Sequence, residues 1–524
     1  MKLFPGRTPG RKSARSRLLV VLSGARTFAG RCSVFLAFVV SLSVQASAAD
    51  IKPLDLGKNV DVWFSEDHTV PIVAFNITFP AGAAYDPAGK GGLASFTAAL
   101  IDEGAGTMDS RAFHEALADH AIQFRASVDR DDMIVSVVTL TENAPLAMHL
   151  VQTALTHPRF DAEAVNRVRA QMIQGIQEGN TRPGTVARRA FSKAFFNGHP
   201  YGRPSDGEVN TLTAITADDL RAFAKGHWVK GGLKIAVAGD ITAEAAQKLL
   251  AETFQPVSSV TPPPLPNIGR LGSPGVHVLP LPVPQPTVMF GLPGIMRADP
   301  DFIPGYVANY IVGGGGFSSR LTDEVRVKRG LTYGISTSLT AYRKASVMVG
   351  SVATRADAVR QTIQVVRDTL SDFAANGATQ NELDDAKTFL TGSFPLAFAS
   401  NAGIASQLGT FQRQGLDIGY VARRNALIQA VTLDDVRRVS KRLFDPARLT
   451  VVVAGTPVEG KSVPQNPKPP VRPTPPPVVP QGSTPAPNAV PAPPTQATTP
   501  SQAGAGAAKP TNKPDTKSET QPRP

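Results

Sequence analysis

Apolar positions along this chain recur with two periods, and the switches between them mark out its elements. Residues 60–64 and 70–79 are rich in β-branched and aromatic side chains around a turn at Glu66-Asp67-His68, which predicts a pair of strands. Pro80 to Pro87 ends the second strand. Beyond Gly89 to Gly92 the spacing of Leu93, Phe96 and Leu100 predicts a helix to about Glu103, with the small residues Ser95, Ala98 and Ala99 on another face. A helix over 110–120, strands over 122–128 and 133–141 and a helix over 144–156 follow, and Pro158 stops the last of these. Asp161 is the expected cap of a long helix to about Gly179, with further helical turns to Phe196 and a loop over 197–204. The second part of the chain runs through strands from 277 and over 287–292, a helix over 306–312, strands over 333–339 and 345–352, and helices over 356–374 and 380–394.

One unit occurs twice. Thr216-Ala-Asp-Asp219 has the form of a helix N-cap with acids in the first turn, and a strand over 233–238 follows it. Thr432-Leu-Asp-Asp435 and the strand residues 449–455 repeat that unit without a gap, at a constant offset of 216 positions, with Lys225 falling on Lys441 and Trp228 on Phe444. The repeat predicts an α+β protein of two duplicated domains, each of roughly 200 residues and each a mainly antiparallel sheet with helices packed on it. The expected divisions are 49–257 and 275–457 for the domains, with a Pro-rich linker over 258–274.

Composition changes this picture at the ends. Eight basic residues, an apolar run over 34–44 and an Ala46-Ser47-Ala48 cleavage pattern read as a signal peptide over 1–48. The apolar run is shorter than the roughly 20 residues of a spanning helix, so no membrane span is expected after cleavage; a retained anchor is the alternative, because the basic region before the run is unusually long. Loss of the leader takes the formal charge from +12 to +4, and no basic run with interleaved aromatics argues for nucleic acid. The single cysteine, Cys32, leaves with the leader, so the mature chain has no thiol chemistry. Residues 458–524 are dominated by Pro, Ala, Thr and Gln and cannot bury a core; they read as a disordered tail.

Candidate chemistry gathers in one stretch. Gly313, Gly314, Gly315 and Gly316 lead through Phe317 into a short charged helix carrying Arg326, and a strand from about Leu331 brings Tyr333 back past it. Loop, helix and strand can hold a guanidinium and a phenol at one place. The glycines fit neither dinucleotide nor P-loop spacing. Elsewhere His114 and His120 stand six apart on a helix, poorly placed for a shared metal. His149 and His157 have no carboxylate at ligand spacing, Asp102-Glu103 reads as a solvated helix end, and Asp129 to Asp132 as a hairpin turn.

Ala81-Gly-Ala-Ala-Tyr-Asp-Pro87, Gly91-Gly-Leu-Ala94, His199-Pro-Tyr-Gly-Arg-Pro204, Val237-Ala-Gly-Asp240 and Phe317-Ser-Ser-Arg-Leu321 through Arg329-Gly-Leu-Thr-Tyr333 resemble the pitrilysin/insulinase family of zinc peptidases, in particular its bacterial branch similar to mitochondrial processing peptidase. The resemblance spans about residues 51–457 and implies two halves facing each other across a chamber. Active members carry H-x-x-E-H, two zinc-binding histidines with a general base between them, and a further zinc-binding Glu on a later helix. Here those positions hold Ser95, Ala98, Ala99 and Gly175, none of which can replace an imidazole or a carboxylate on zinc. The resemblance further implies that Arg326 holds substrate, that Tyr333 donates to the oxyanion of the scissile carbonyl, and that Gly313 to Phe317 lie along the substrate. The expectation is a zinc-free, periplasmic or otherwise exported subunit that binds no cofactor itself. It would form a heterodimer with a zinc-bearing relative and act with it on peptides. The alternative is a catalytically dead binding or scaffold protein of the same fold.

Overall fold

The computed structural model describes residues 50–458. The leader assigned to 1–48, with Cys32, and all but the first residue of the tail assigned to 458–524 lie outside them. The strands are β1 (Ile51–Leu54), β2 (Val60–Glu66), β3 (Ile72–Phe79), β4 (Gly104–Ala105), β5 (Met108–Asp109), β6 (Gln123–Val128), β7 (Met133–Leu140), β8 (Leu233–Gly239), β9 (Gly275–Leu279), β10 (Thr287–Pro293), β11 (Thr332–Ala341), β12 (Ser346–Thr354) and β13 (Thr450–Ala454). They form a six-stranded sheet in the order β1-β2-β8-β3-β7-β6, a five-stranded sheet in the order β11-β12-β10-β13-β9, and the small β4-β5 ribbon.

Taken in chain order, β2-β3-β6-β7-β8 and β9-β10-β11-β12-β13 are laid down identically. In each set the first strand pairs in parallel with the fifth, and the remaining neighbours are antiparallel. β1 is an added edge strand. The repeated unit is copied down to its caps. Thr216 begins the Ala217–His227 helix and Thr432 the Leu433–Leu443 helix, and each accepts from and is bonded by the aspartate three residues on, Asp219 or Asp435. Such a box satisfies two of the backbone N–H groups that a helix start leaves bare.

Period-2 alternation divides each sheet between two layers. In the first sheet Val62, Phe64, Phe75, Ile77, Ile235 and Val237 face a core built with the helices of the same half, while Trp63, Ala74, Ala236 and Ala238 face the Asn401–Arg413 helix of the other half. In the second sheet Val288, Phe290, Val451 and Val453 face their own helices, while Val347, Met289 and Val452 face Phe191, Phe195 and Phe196 on the Pro183–Phe196 helix of the first half. The halves thus exchange a helix, and both sheets are buried on two faces.

Polar contacts complete the joint. Asn401 Nδ2 donates to the Ile72 carbonyl at 2.9 Å and Gln412 Nε2 to the Asp61 carbonyl at 2.9 Å, each reaching from the second half to the first. The linker adopts no regular structure but is pinned: Gly272 N–H donates to the Phe195 carbonyl at 2.8 Å, and Leu265 is buried in the cluster that holds Phe195.

Several local expectations change. The helix expected to reach Glu103 covers only Leu93–Ala98 and is followed by i to i+3 turns, because the chain must reverse into the ribbon at Gly104, whose φ is +118°. Asp161 sits at the start of the Ala162–Thr181 helix without capping it, since Arg159 Nε takes its carboxylate at 2.6 Å. Glu103 is not in open solvent. Arg167 grips both its oxygens at 2.9 and 2.6 Å, and this holds its carboxyl below the usual range.

Candidate functional site

The stretch from the Phe302–Asn309 helix to β11 is wound unusually. The helix loosens into i to i+5 bonding over Tyr310–Gly314, breaks at Gly316, whose φ is +58°, and resumes as a second i to i+5 turn over Thr322–Val327. Such turns are rare and recur at functional sites. Gly313 is required by packing: a Cβ there would lie 2.4 Å from Thr337 Oγ1 on β11. Gly314 and Gly316 are exposed, and Gly315 is half-buried against Tyr310. Arg320 anchors the resumed turn, donating to Glu382 at 2.6 and 2.8 Å and to Asp372 at 3.0 Å. Burial works to raise the Glu382 carboxyl, but Arg320 and the Thr379 cap hold it down to about 2.

Tyr333 stands on a bulge. The β11–β12 register advances by three residues on β11, Thr332 to Ile335, against two on β12, Thr354 to Val352. The extra residue re-aims the strand's side chains. Thr332 Oγ1 stabilises the kink by donating to the Ala353 carbonyl at 2.7 Å and accepting from Gly334 N–H at 3.1 Å. Tyr333 is left 93% exposed.

The expected residues come together. The Arg326 guanidinium lies 4.6 Å from the centroid of the Phe317 ring and 5.5 Å from that of Tyr333. Phe317 is itself 78% exposed. Among the described residues neither Arg326 nor the Tyr333 hydroxyl has a hydrogen-bond or ion-pair partner. The result is a cation held between two rings with its N–H groups and a phenol left open, suited to grip a carbonyl or carboxylate.

The first half offers no counterpart. Ser95 Oγ donates to the Ser205 carbonyl at 2.7 Å, Ala98 is buried, and Ala99 is exposed at the end of its helix. Gly175 is exposed on the Ala162–Thr181 helix, with open space where a side chain would go. One hydroxyl already committed to a backbone carbonyl and three positions without a donor atom do not fit zinc. Among the described residues no three His, Cys, Asp or Glu side chains gather in a way that could hold a metal. His114 and His120 each bond a carbonyl of their own helix through Nδ1, at 2.8 and 3.1 Å. Asp86, expected only as part of a loop motif, accepts from Gly92 and Ala94 N–H at 2.7 Å each and so caps the short helix from outside; burial lifts its carboxyl to about 7.

Asp129 to Asp132 form the turn anticipated for them, but at the joint between the halves. Arg130 donates to the Tyr342 hydroxyl at 2.9 Å and to Ser192 Oγ at 2.8 Å. Tyr201 donates to Asp131, which also accepts from Arg343 N–H at 2.9 Å, and the Arg343 guanidinium pairs with the buried Asp132. Burial raises Asp132 to about 7 against the pull of Arg343. The sequence signal was present in the run of three aspartates beside an arginine, more charge than a free turn requires.

Residues 61–207 match the family model described as insulinase (peptidase family M16), and residues 214–390 match the one described as peptidase M16 inactive domain. A Helicobacter pylori protein named non-peptidase homolog YmxG is 26% identical over 421 residues, covering 79% of this chain and 96% of its own length. A Bacillus subtilis protein named uncharacterized zinc protease YmxG is 22% identical over 401 residues, covering 75% and 96%. The crystal structure of a peptidase M16 inactive domain from Pseudomonas fluorescens superposes with a TM-score of 0.75 at 28% identity, over 79% of this chain and 99% of that one. Among the described residues no helix is long and apolar enough to cross a membrane.

Proposed function

This chain belongs to the M16 insulinase family as a member whose zinc-site positions are empty, and from that premise we propose that it is the zinc-free subunit of a two-chain peptidase. The observation that carries the proposal is the Arg326–Phe317–Tyr333 cluster, in which the half-buried Arg326 guanidinium and the exposed Tyr333 hydroxyl are preoriented and have no partner among the described residues. A relative bearing H-x-x-E-H would hold the zinc and the general base. Arg326 would hold the peptide and Tyr333 would donate to the oxyanion, the kind of interaction whose loss costs about 3 kcal/mol of barrier. Gly314 to Phe317 would border the extended substrate. The leader-like first 48 residues, outside the described ones, support a complex that is periplasmic or otherwise exported.

Co-purification of the chain with a zinc-motif relative encoded nearby, followed by a peptide-cleavage assay, tests the proposal. Tyr333→Phe should lower kcat of the complex by about 100-fold with zinc content unchanged. Unchanged turnover would remove Tyr333 from the chemistry. If no relative associates, the second reading takes over: a catalytically dead binding or scaffold protein. The name of the Helicobacter pylori relative, non-peptidase homolog, favours that reading.

A further inference from the structure

Away from that cluster, a cavity of about 410 Å³ opens where the end of the Ala144–Thr156 helix, the last turns of the Ala217–His227 helix and the start of the linker meet. Its lining includes Leu155, His157, Arg221, Lys225, Trp228 and Ser258, and no carboxylate. Arg221 and Lys225 stand one turn apart on the same helix, where like charges repel. Arg221 is paired only with Asp218, whose side chain is 94% exposed, and Lys225 has no ion-pair or hydrogen-bond partner among the described residues. A favourable position at the helix end accounts for Lys225 but not for a second cation beside it.

Trp228 is 3% exposed and packs against Phe160, and its indole nitrogen is buried, so it meets the cavity with its ring. Thr156 Oγ1 donates to the Gln152 carbonyl at 2.7 Å and so accepts from His157 Nδ1–H at 2.8 Å, leaving Nε2 of His157 uncommitted. Two cations therefore border a cavity whose remaining wall, with Leu155, Trp228 and Val257, is apolar.

The geometry points to a binding site for a carboxylate carried on a small apolar body. Arg221 and Lys225 would take the charge, and the apolar wall the attached side chain. Two sources share this chemistry, the C-terminal residue of a peptide and a free aliphatic acid. The site is independent of Arg326 and Tyr333 and does not rest on the peptidase proposal.

Isothermal titration calorimetry on the full chain tests it, using a leucine-terminated tetrapeptide with a free carboxyl terminus, the same peptide as its amide, and hexanoate. The free acid should bind at least about tenfold more tightly than the amide, the worth of one charge-assisted contact. Arg221→Met/Lys225→Met should weaken the free acid by at least about tenfold. Melting temperature of the double variant should be unchanged, because both side chains are solvent-exposed. Hexanoate binding as tightly as the peptide assigns the site to small acids, and weaker binding assigns it to chain ends; both uphold the carboxylate site. Equal binding of acid and amide, absence of binding, or a double variant that binds like the parent overturns it.

Discussion

Phe191, Phe195 and Phe196 carry the first half's helix onto the second sheet, whereas the second half's helix lies on the first sheet through Ile404, Ala405 and Leu408. The two joints occupy corresponding places in sheets of identical strand order, yet bulk and space are distributed oppositely. At the first, Phe191 on the helix fills the space over Gly291 on β10, where a Cβ would come within 2.6 Å of its ring. At the second, the glycine is on the helix: a Cβ on Gly409 would come within 2.1 Å of Asn76 Oδ1 on β3. Duplication thus supplied the topology, while each joint was fitted separately, and the halves are not interchangeable.

The largest expected effect comes from emptying the aromatic joint. Phe195 is fully buried between the halves, so Phe195→Ala should cost about 3 to 5 kcal/mol, read as a lower urea midpoint. Because the helix belongs to one half and its contacts to the other, the loss should appear in a single cooperative transition. Two separate transitions would show that the halves fold independently and that the exchange is only a surface contact.

Crowding the opposite joint should act less strongly. Gly409→Val must displace Asn76 and is expected to cost about 1 to 3 kcal/mol. Gly291→Val meets the ring of Phe191 and also the Met348 backbone carbonyl at 2.8 Å, so it should lie at the upper end of that range. A neutral result at either position would show that the joint is looser than the close approaches require.

How much of this could be read from the chain beforehand depends on whether the cause is local. The caps at Thr216 and Thr432, the strands and their repeat are set by nearby residues, and the 216-position offset exposes them directly. The convergence of Phe317, Arg326 and Tyr333 was legible because they lie within one loop–turn–strand unit. The helix exchange was not. The Asn401–Arg413 helix is apolar on one stripe like any surface helix, and nothing in its period says which sheet it covers. The bulge under Tyr333 depends on pairing with β12, and the burial of Asp132 on Arg343 from a distant hairpin, so both are properties of tertiary contact.

Stability should be pH-dependent through the polar lock at Asp132 and the helix cap at Asp86, with a smaller effect than emptying the aromatic joint. Asp86 and Asp132 have carboxyls raised to about 7 from an ordinary 3.8, so the folded chain holds protons that the unfolded chain has released. Stability from groups of this kind is complete at low pH and is lost as pH rises through the folded value. His68, raised by its bonds to Asp240 and Glu66, acts in the same direction. Lowering pH from 8 to 6.5 should therefore raise Tm by a few degrees. Arg343→Met, which removes the charge that pulls Asp132 down, should cost about 1 to 3 kcal/mol at pH 8, where Asp132 loses its partner or must take up a proton, and less at pH 6, where it holds a proton already. A penalty independent of pH would place the contribution of Arg343 in packing.

The smallest expected change in stability is at the candidate site, and its smallness is informative. Tyr333 is 93% exposed and its hydroxyl bonds to nothing among the described residues, so Tyr333→Phe should move the urea midpoint of the isolated chain by less than the equivalent of about 0.5 kcal/mol. Arg326→Ala gives up contacts with two exposed rings and should cost about 0.5 to 1 kcal/mol. Ser95→Ala, by contrast, breaks a bond that ties the Leu93–Ala98 helix to the Ser205 carbonyl, for about 1 kcal/mol. The order separates the two regions: Ser95, at the position the resemblance aligns with a zinc ligand, is bonded into the scaffold, while the Tyr333 hydroxyl is not. A bulge that presents an aromatic hydroxyl to solvent without structural return leaves that hydroxyl open to another molecule. If Tyr333→Phe destabilises the isolated chain by more than Ser95→Ala does, the hydroxyl is already bonded within the fold, and its availability to a substrate or partner chain is lost.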